Sequence, residues 1–250
     1  MADVVIPIIA YLIGSIPFGF LVVKWVKGVD VRTKGSGNIG MTNVWRVAGP
    51  WWGIATLALD ILKGVAAIWI AGHFDPGDEL LKVVCGLSAL LGNVFPIFLK
   101  FKGGKGIGIS VGIFFSLLLP ESAAGVAVFL VLLALFRMVS LGSLLGATTM
   151  MTYALFNQGL TWFSGLAIVA TLMIWWTHRQ NIKRILNGTE NKIDQNIAFL
   201  WIKKIIGSIA LYIFVYGIWL GTGANATWKY LPFFFACLPF WLIPNPKNKK

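Results

Sequence analysis

Three polar segments interrupt an otherwise apolar chain, and each carries residue types suited to holding phosphate. They are GSGNIGMTNVWR at residues 35–46, KGGKG at residues 102–106, and THRQNIKRIL at residues 177–186. Glycine permits tight turns whose N–H groups converge on an anion, while lysine and arginine supply positive charge. The three segments therefore predict a site for phosphorylated substrates.

The first segment is predicted to be a phosphate-binding loop. Its glycines follow the G-x-G-x-x-G spacing of dinucleotide-binding proteins, but that fingerprint needs a preceding strand, and here an apolar helix and a basic connector precede it. Glycine turns, neutral hydrogen-bonding groups and the guanidinium of one arginine still suit phosphate. A flexible loop with no binding role is the alternative. The candidate residues of this segment are Gly35, Ser36, Gly37, Asn38, Gly40, Thr42, Asn43 and Arg46.

The second segment resembles part of a nucleotide-binding P-loop but lacks its G-x-x-x-x-G-K-[ST] spacing, so an NTPase is a poor interpretation. A simpler phosphate cradle fits better, with Lys105 as a point charge before the amino terminus of the following helix. For Lys100 and Lys102, basic anchoring of the preceding helix is the alternative. The candidate residues here are Lys102, Gly103, Gly104, Lys105 and Gly106.

The third segment places His178 and Asn181 three residues apart, on one face of a helix. The other histidine, His73, lies on the opposite predicted side of the membrane, so a zinc site is implausible and no metal or cofactor is expected. Two interpretations stay open for His178, namely a structural histidine and a hydrogen-bonding partner of a substrate hydroxyl or phosphate.

The segment LDILKG places one acid and one base, Asp60 and Lys63, inside a predicted membrane helix. Charges in hydrocarbon are costly and usually pair with each other facing the protein interior. The pair either neutralises itself, or Lys63 extends toward the phosphate-binding loops.

The elements that must position these residues are membrane helices. The 250 residues are 58% hydrophobic and 12% charged, with a mean hydropathy of +0.80, which indicates an integral membrane protein. We predict an all-α, polytopic helical bundle with a seven-helix core in residues 1–204 and two additional helices in residues 205–250. The predicted helices are 4–23, 51–72, 80–99, 107–119, 123–137, 141–157, 160–176, 205–222 and 229–244.

The distribution of charge predicts the orientation. With the amino terminus outside, most lysines and arginines fall in the inner segments, and the outer segments keep only Lys82 and Lys229. The net charge of +12 is then explained by cytoplasmic loops that face anionic lipid or substrate, rather than by nucleic acid. The acidic residues expected outside are Asp3, Asp75, Asp78, Glu79 and Glu121.

These motifs together resemble the bacterial acyl-phosphate:glycerol-3-phosphate acyltransferase family. The matching stretches are GSGNIGMTNVWR, LDILKG, NVFPIFLKFKGGKG and HRQNIKRIL, in that order. The resemblance implies a seven-helix protein of the bacterial inner membrane with cytoplasmic motif loops. It also implies transfer of a fatty acyl group from acyl phosphate to the 1-hydroxyl of sn-glycerol 3-phosphate, which gives lysophosphatidate and phosphate in phospholipid synthesis.

The resemblance also implies roles for individual residues. Ser36, Arg46 and Lys105 would grip phosphate, and His178 and Asn181 would contact glycerol phosphate. His178 would be catalytic with those three, and either His178 or a substrate phosphate oxygen would take the proton of the hydroxyl. Residues expected to support the polar site are Asn38, Thr42, Asn43, Lys63 and Asn93.

The chain departs from the family pattern at several positions. Asn93 stands where the family has histidine, and an amide cannot act as a base at neutral pH. Met41 replaces a small residue, and Gly108 and Ile109 stand where alanine and threonine are usual. The additional predicted helices leave room for a partner protein.

Two other functions compete with the acyltransferase hypothesis. One is a transporter of a phosphorylated small molecule, although such proteins often show internal repeats and charged sites at mid-membrane depth. The other is a non-catalytic relative that binds lipid headgroups, an interpretation to which Asn93 lends weight.

Overall fold

The computed structural model describes residues 2–193, which are helical with no β-strand among them. Ten α-helices follow one another along this part of the chain. Their bounds are α1 Ala2–Ser15, α2 Phe18–Lys27, α3 Met41–Ala48, α4 Pro50–Phe74, α5 Glu79–Val94, α6 Ile107–Leu117, α7 Leu119–Phe136, α8 Val139–Gln158, α9 Trp162–Thr177 and α10 Arg179–Leu186.

Helical structure is found in each of the seven segments predicted before residue 177, although the first segment contains two helices. Within residues 2–193, five stretches are long and apolar enough to cross a membrane: Asp3–Lys27, Pro50–Phe74, Glu79–Leu99, Leu119–Phe136 and Val139–Gln158. The helices α6 and α9 are apolar but shorter, at 11 and 16 residues. The predicted helices 205–222 and 229–244 lie outside the described residues.

Two local predictions were wrong. The helix predicted at 4–23 is interrupted between α1 and α2, where Pro17 precedes Phe18 and lacks the N–H that a continuous helix would use. The loop predicted over residues 41–48 is instead the short helix α3, which begins directly after Gly40. This helix continues the first glycine-rich segment and carries Arg46.

Glycines allow the helices to pack closely. A Cβ atom at Gly14 of α1 would collide with the carbonyl oxygen of Ala89 in α5, and one at Gly112 of α6 would collide with that of Ile61 in α4. Small residues at helix interfaces let backbones approach in this way inside membranes. The contact of α6 with α4 fixes the amino terminus of α6, where the second motif ends.

The residues predicted to form the site all belong to one compact unit, Met1–Val131 with Val139–Glu190. The boundary predicted at residue 204 lies outside the described residues and stays a prediction.

Candidate active site

The loop that carries Lys105 is folded back onto the end of α5. Its two central glycines donate backbone hydrogen bonds, Gly103 to the carbonyl of Val94 at 3.1 Å and Gly104 to that of Asn93 at 3.0 Å. A Cβ atom at Gly103 would collide with the Asn93 carbonyl oxygen, so the sequence needs glycine there. Asn93 is 7% exposed, and its backbone supports the loop directly.

Lys105 joins this loop to the junction of α9 and α10. Its Nζ donates a hydrogen bond to Oδ1 of Asn181, and its backbone carbonyl accepts one from Thr177 Oγ1 at 3.1 Å. Gly106 follows with a φ of +83°, a conformation suited to glycine, and α6 begins at the next residue. The second and third motifs therefore meet at Lys105.

His178 is buried at the junction of α9 and α10, with an exposed fraction of 3%. Its Nδ1 lies 2.8 Å from the carbonyl oxygen of Ile174. A carbonyl only accepts hydrogen bonds, so Nδ1 carries the proton in the neutral ring and Nε2 is left as an acceptor. Burial, followed by the positive charge of Lys105, lowers the pKa of His178 to about 4, and the imidazole is therefore neutral at pH 7.

Glu190 organises the opposite side of Asn181. Its carboxylate accepts hydrogen bonds from Asn181 Nδ2 at 2.6 Å, Ser140 Oγ at 2.8 Å and Arg184 Nε at 2.7 Å. Burial alone would raise the pKa of Glu190, but the hydrogen bonds from Asn181, Ser140 and Arg184 lower it below its ordinary value. The ionised carboxylate thus fixes the Asn181 amide with its oxygen toward Lys105.

The cations of this cluster are held close together under partial burial. The pKa of Lys105 is lowered to about 8, mainly by burial, with Arg184 and Arg46 acting in the same direction and Glu190 opposing them. Burial also lowers the pKa of Arg46, and the same carboxylate opposes that shift. Three cations around one carboxylate leave excess positive charge in a poorly solvated place, which favours the binding of an anion.

The first glycine-rich segment is organised by Asn43, which is 1% exposed. Its Nδ2 lies within hydrogen-bonding distance of the carbonyl oxygens of three loop residues, and its Oδ1 accepts the Ser36 N–H at 2.8 Å. The three carbonyls belong to Val31, Lys34 and Asn38. Asn43 therefore holds the loop together, while the Ser36 side chain stays exposed.

The same loop is joined to α3 and Arg46. Asn38 Oδ1 accepts the Gly40 N–H at 2.8 Å just before α3 begins, and Thr42 lies in its first turn. Asn43 and Arg46 are three residues apart and share a face of α3. Gly35 has a φ of +58°, and a Cβ atom there would collide with Asn43 Oδ1.

Lys63 has its own set of partners within the protein. Its Nζ is 2.8 Å from Oδ1 of Asp60, and it donates to the carbonyl oxygens of Gly14 at 3.1 Å and Ile16 at 2.9 Å. Of the two alternatives, the structure favours pairing with Asp60. Lys63 additionally fixes the break between α1 and α2.

The structure thus brings together four predicted residues and adds others that the motifs did not indicate. Arg46, Lys105, His178 and Asn181 share one neighbourhood, whereas Lys102 is exposed on its loop. Glu190 could have been suspected from its sequence, because it is an acid in a strongly basic segment. Of the added residues, Thr177 and Arg184 lie within THRQNIKRIL but were not candidates, and Ser140 and Glu190 lie outside the motifs.

Comparison with known proteins gives a consistent set of relatives. A family model described as glycerol-3-phosphate acyltransferase matches residues 4–188. A relative of that name from Myxococcus xanthus is 42% identical over 186 residues, which is 74% of this chain and 96% of the relative. Glycerol-3-phosphate acyltransferase 2 of Thermotoga maritima is 43% identical over 192 residues, covering 75% and 95%.

Solved structures are similar as well. The glycerol 3-phosphate form of PlsY, an integral membrane glycerol 3-phosphate acyltransferase, superposes with a TM-score of 0.75 at 34% identity, covering 80% of this chain and 99% of that one. The lysophosphatidic acid form of PlsY gives a TM-score of 0.74 at 33% identity with the same coverage.

Proposed function

This chain belongs to the glycerol-3-phosphate acyltransferase family, and we propose that it uses acyl phosphate to acylate the 1-hydroxyl of sn-glycerol 3-phosphate. It is a multi-pass membrane acyltransferase of phospholipid synthesis. The observation that carries the proposal is the convergence of Arg46, Lys105, His178 and Asn181 from three separate motifs. We further propose that the site faces the cytoplasm at the bacterial inner membrane, with the amino terminus outside.

The reaction needs positioning and charge stabilisation more than covalent chemistry. An acyl phosphate is an activated mixed anhydride, so the hydroxyl oxygen of glycerol phosphate can attack its carbonyl carbon directly. The carbon–oxygen bond to phosphate then breaks, and phosphate leaves with the bonding electrons. Two anionic reactants must lie close together without repulsion, which is the kind of contribution that fixed cations make.

Lys105 and Arg46 are proposed to neutralise the phosphates. With a pKa of about 8, Lys105 is mostly protonated at pH 7. Its partial burial strengthens its attraction for an anion, because solvent screens the charge less. The Ser36 hydroxyl is proposed to donate to a phosphate oxygen, and Asn43 positions that loop through its backbone contacts.

His178 is proposed to accept the hydrogen bond of the attacking hydroxyl through Nε2. Its Nδ1 contact with the Ile174 carbonyl fixes this tautomer. Because the imidazole is weakly basic in its buried position, the proton does not remain there, and it ends on the released phosphate. Asn181 is proposed to fix Lys105 beside the imidazole, supported from behind by Glu190.

The proposal is tested with purified full-length protein, glycerol 3-phosphate and either palmitoyl phosphate or palmitoyl-CoA as donor. Lysophosphatidate should form when palmitoyl phosphate is the donor and should not form when palmitoyl-CoA is the donor. In Lys105→Ala, kcat/KM should fall about 10²- to 10³-fold, which is typical for loss of one electrostatic stabiliser. Lys183→Ala removes an exposed lysine of α10 and should retain full turnover.

Activity with palmitoyl-CoA and not palmitoyl phosphate would refute the donor assignment. Equal losses in Lys105→Ala and Lys183→Ala would refute the site, because the effect would then depend on overall positive charge.

A further inference from the structure

A groove of about 460 Å³ lies between α4, α5 and α6, away from the residues of the active site. Toward the middle of α4 the groove is apolar, and toward the carboxyl end of α4 it carries an aromatic residue and two basic ones. The lining residues that matter here are Ile68, Trp69, Gly72 and His73 of α4, Lys82 of α5 and Ser116 of α6.

The groove and the active site lie at opposite ends of α6. Lys105 comes two residues before the helix begins, and Ser116 is in its last turn. Eleven residues of α-helix span about 16 Å, so the two sites are well separated. In the topology proposed above, the groove opens at the outer side of the membrane.

The part of the groove toward the carboxyl end of α4 resembles a membrane interface. The Trp69 and His73 rings stack, with centroids 5.5 Å apart and planes inclined by 16°. The Lys82 stem lies over Gly72, where an added Cβ would be 3.6 Å from Lys82 Cε. Lys82 Nζ donates one hydrogen bond, to the Pro76 carbonyl at 2.6 Å, and an ammonium group has two further protons to donate.

Lys82 contacts, through the Pro76 carbonyl, a turn that is rich in acidic residues. Asp75, Asp78 and Glu79 belong to the turn and first residue that lead into α5. Asp78 caps α5 and lies one helical turn before Lys82, with its carbonyl accepting the Lys82 N–H at 3.3 Å. One cation beside three carboxylates complements a headgroup with a phosphate and an ammonium, and it repels a headgroup that is only anionic.

We propose that this groove binds one phospholipid with a zwitterionic ammonium–phosphate headgroup, such as phosphatidylethanolamine. One acyl chain lies along Val65 and Ile68. The phosphate contacts Lys82 and His73, and the ammonium lies among the carboxylates of the adjacent turn. The lipid binds reversibly at this groove and takes no part in the reaction.

The test measures lipid binding by native mass spectrometry on delipidated, full-length protein in detergent. Phosphatidylethanolamine should bind as one molecule per chain, more tightly than phosphatidylglycerol with the same acyl chains. Lys82→Ala should weaken its binding about tenfold, the value of one charge-assisted hydrogen bond. Lys27 is an exposed lysine at the end of α2, and the Lys27→Ala variant should bind phosphatidylethanolamine as tightly as the native chain does.

A second variant tests the groove without changing its charge. Gly72→Leu places an apolar side chain into the space and suits a helix better than glycine. It should exclude phosphatidylethanolamine while palmitoyl phosphate is still turned over at the native rate. Equal affinities for the two lipids in the native chain, or unchanged binding in both Lys82→Ala and Gly72→Leu, would overturn the proposal.

Discussion

Lys63 is buried and Lys105 is partly buried, and both belong to the motifs, yet their surroundings differ. The Lys63 ammonium has three oxygen partners, one from Asp60 and two backbone carbonyls, which match its three protons. Lys105 donates from its side chain to Asn181, and its charged neighbours are mainly other cations. The Lys63 ammonium therefore has all its protons paired within the protein, whereas we propose that Lys105 binds an anionic substrate.

The comparison shows how one residue type serves structure in one place and binding in another. Satisfying a buried charge stabilises the fold around it, whereas leaving positive charge in excess destabilises the free site and favours substrate. Partner number therefore distinguishes the two lysines better than burial does.

The largest effect is expected when Lys63 is changed to methionine. The substitution leaves the Asp60 carboxylate without its cation and removes the ties to Gly14 and Ile16. Breaking a buried ion pair in this way costs about 3–5 kcal/mol. The free energy of unfolding in detergent, measured by denaturant titration, should fall by that amount while turnover per folded molecule changes little.

The double variant Asp60→Leu, Lys63→Met is the matched control, because it removes both charges and should recover much of the loss. A stable Lys63→Met protein with abolished turnover would place Lys63 in the active site and remove the contrast.

The sequence predicted much of this arrangement, for identifiable reasons. Hydropathy located seven helical segments because each membrane helix must be apolar along its own length, whatever the rest of the chain does. The motifs indicated Arg46 and Lys105 because cations suit phosphate, whereas the roles of His178 and Asn181 came from the family resemblance. Their common location could be inferred only from the resemblance and the charge distribution.

Other features depend on contacts that no local pattern contains. The Asn43 amide could bind a substrate, but in the structure it forms hydrogen bonds with the backbone of its own loop. The break before Phe18 depends on Pro17 together with Lys63, which lies far away in the sequence. Glu190 lies outside the quoted motifs, and its role follows from three donors that meet only in the fold.

The pH dependence of Lys105 should show a smaller effect. We propose that the free enzyme binds anions through protonated Lys105, whose pKa is about 8, so kcat/KM should fall as the pH rises through that value. At pH 9 the loss should be about tenfold relative to pH 7. Lys105→Arg keeps its charge and should lack this alkaline decline, whatever its rate at pH 7.

Rates for both proteins are corrected for spontaneous hydrolysis of palmitoyl phosphate at each pH. An identical decline in the native chain and in Lys105→Arg would assign the titration to another group.

The smallest effect is expected from Glu190→Gln, which keeps the shape of the side chain and removes its charge. Asn181 and Arg184 lose a charged acceptor, so kcat/KM at pH 7 should fall about three- to tenfold, equivalent to about 0.5–1.5 kcal/mol. Because the carboxylate raises the pKa of Lys105, its loss should move the alkaline decline to lower pH. A purely structural role would lower the melting temperature and leave the pH profile in place. The displacement of the profile is therefore the decisive measurement, since it reports the electrostatic field that Glu190 exerts on Lys105.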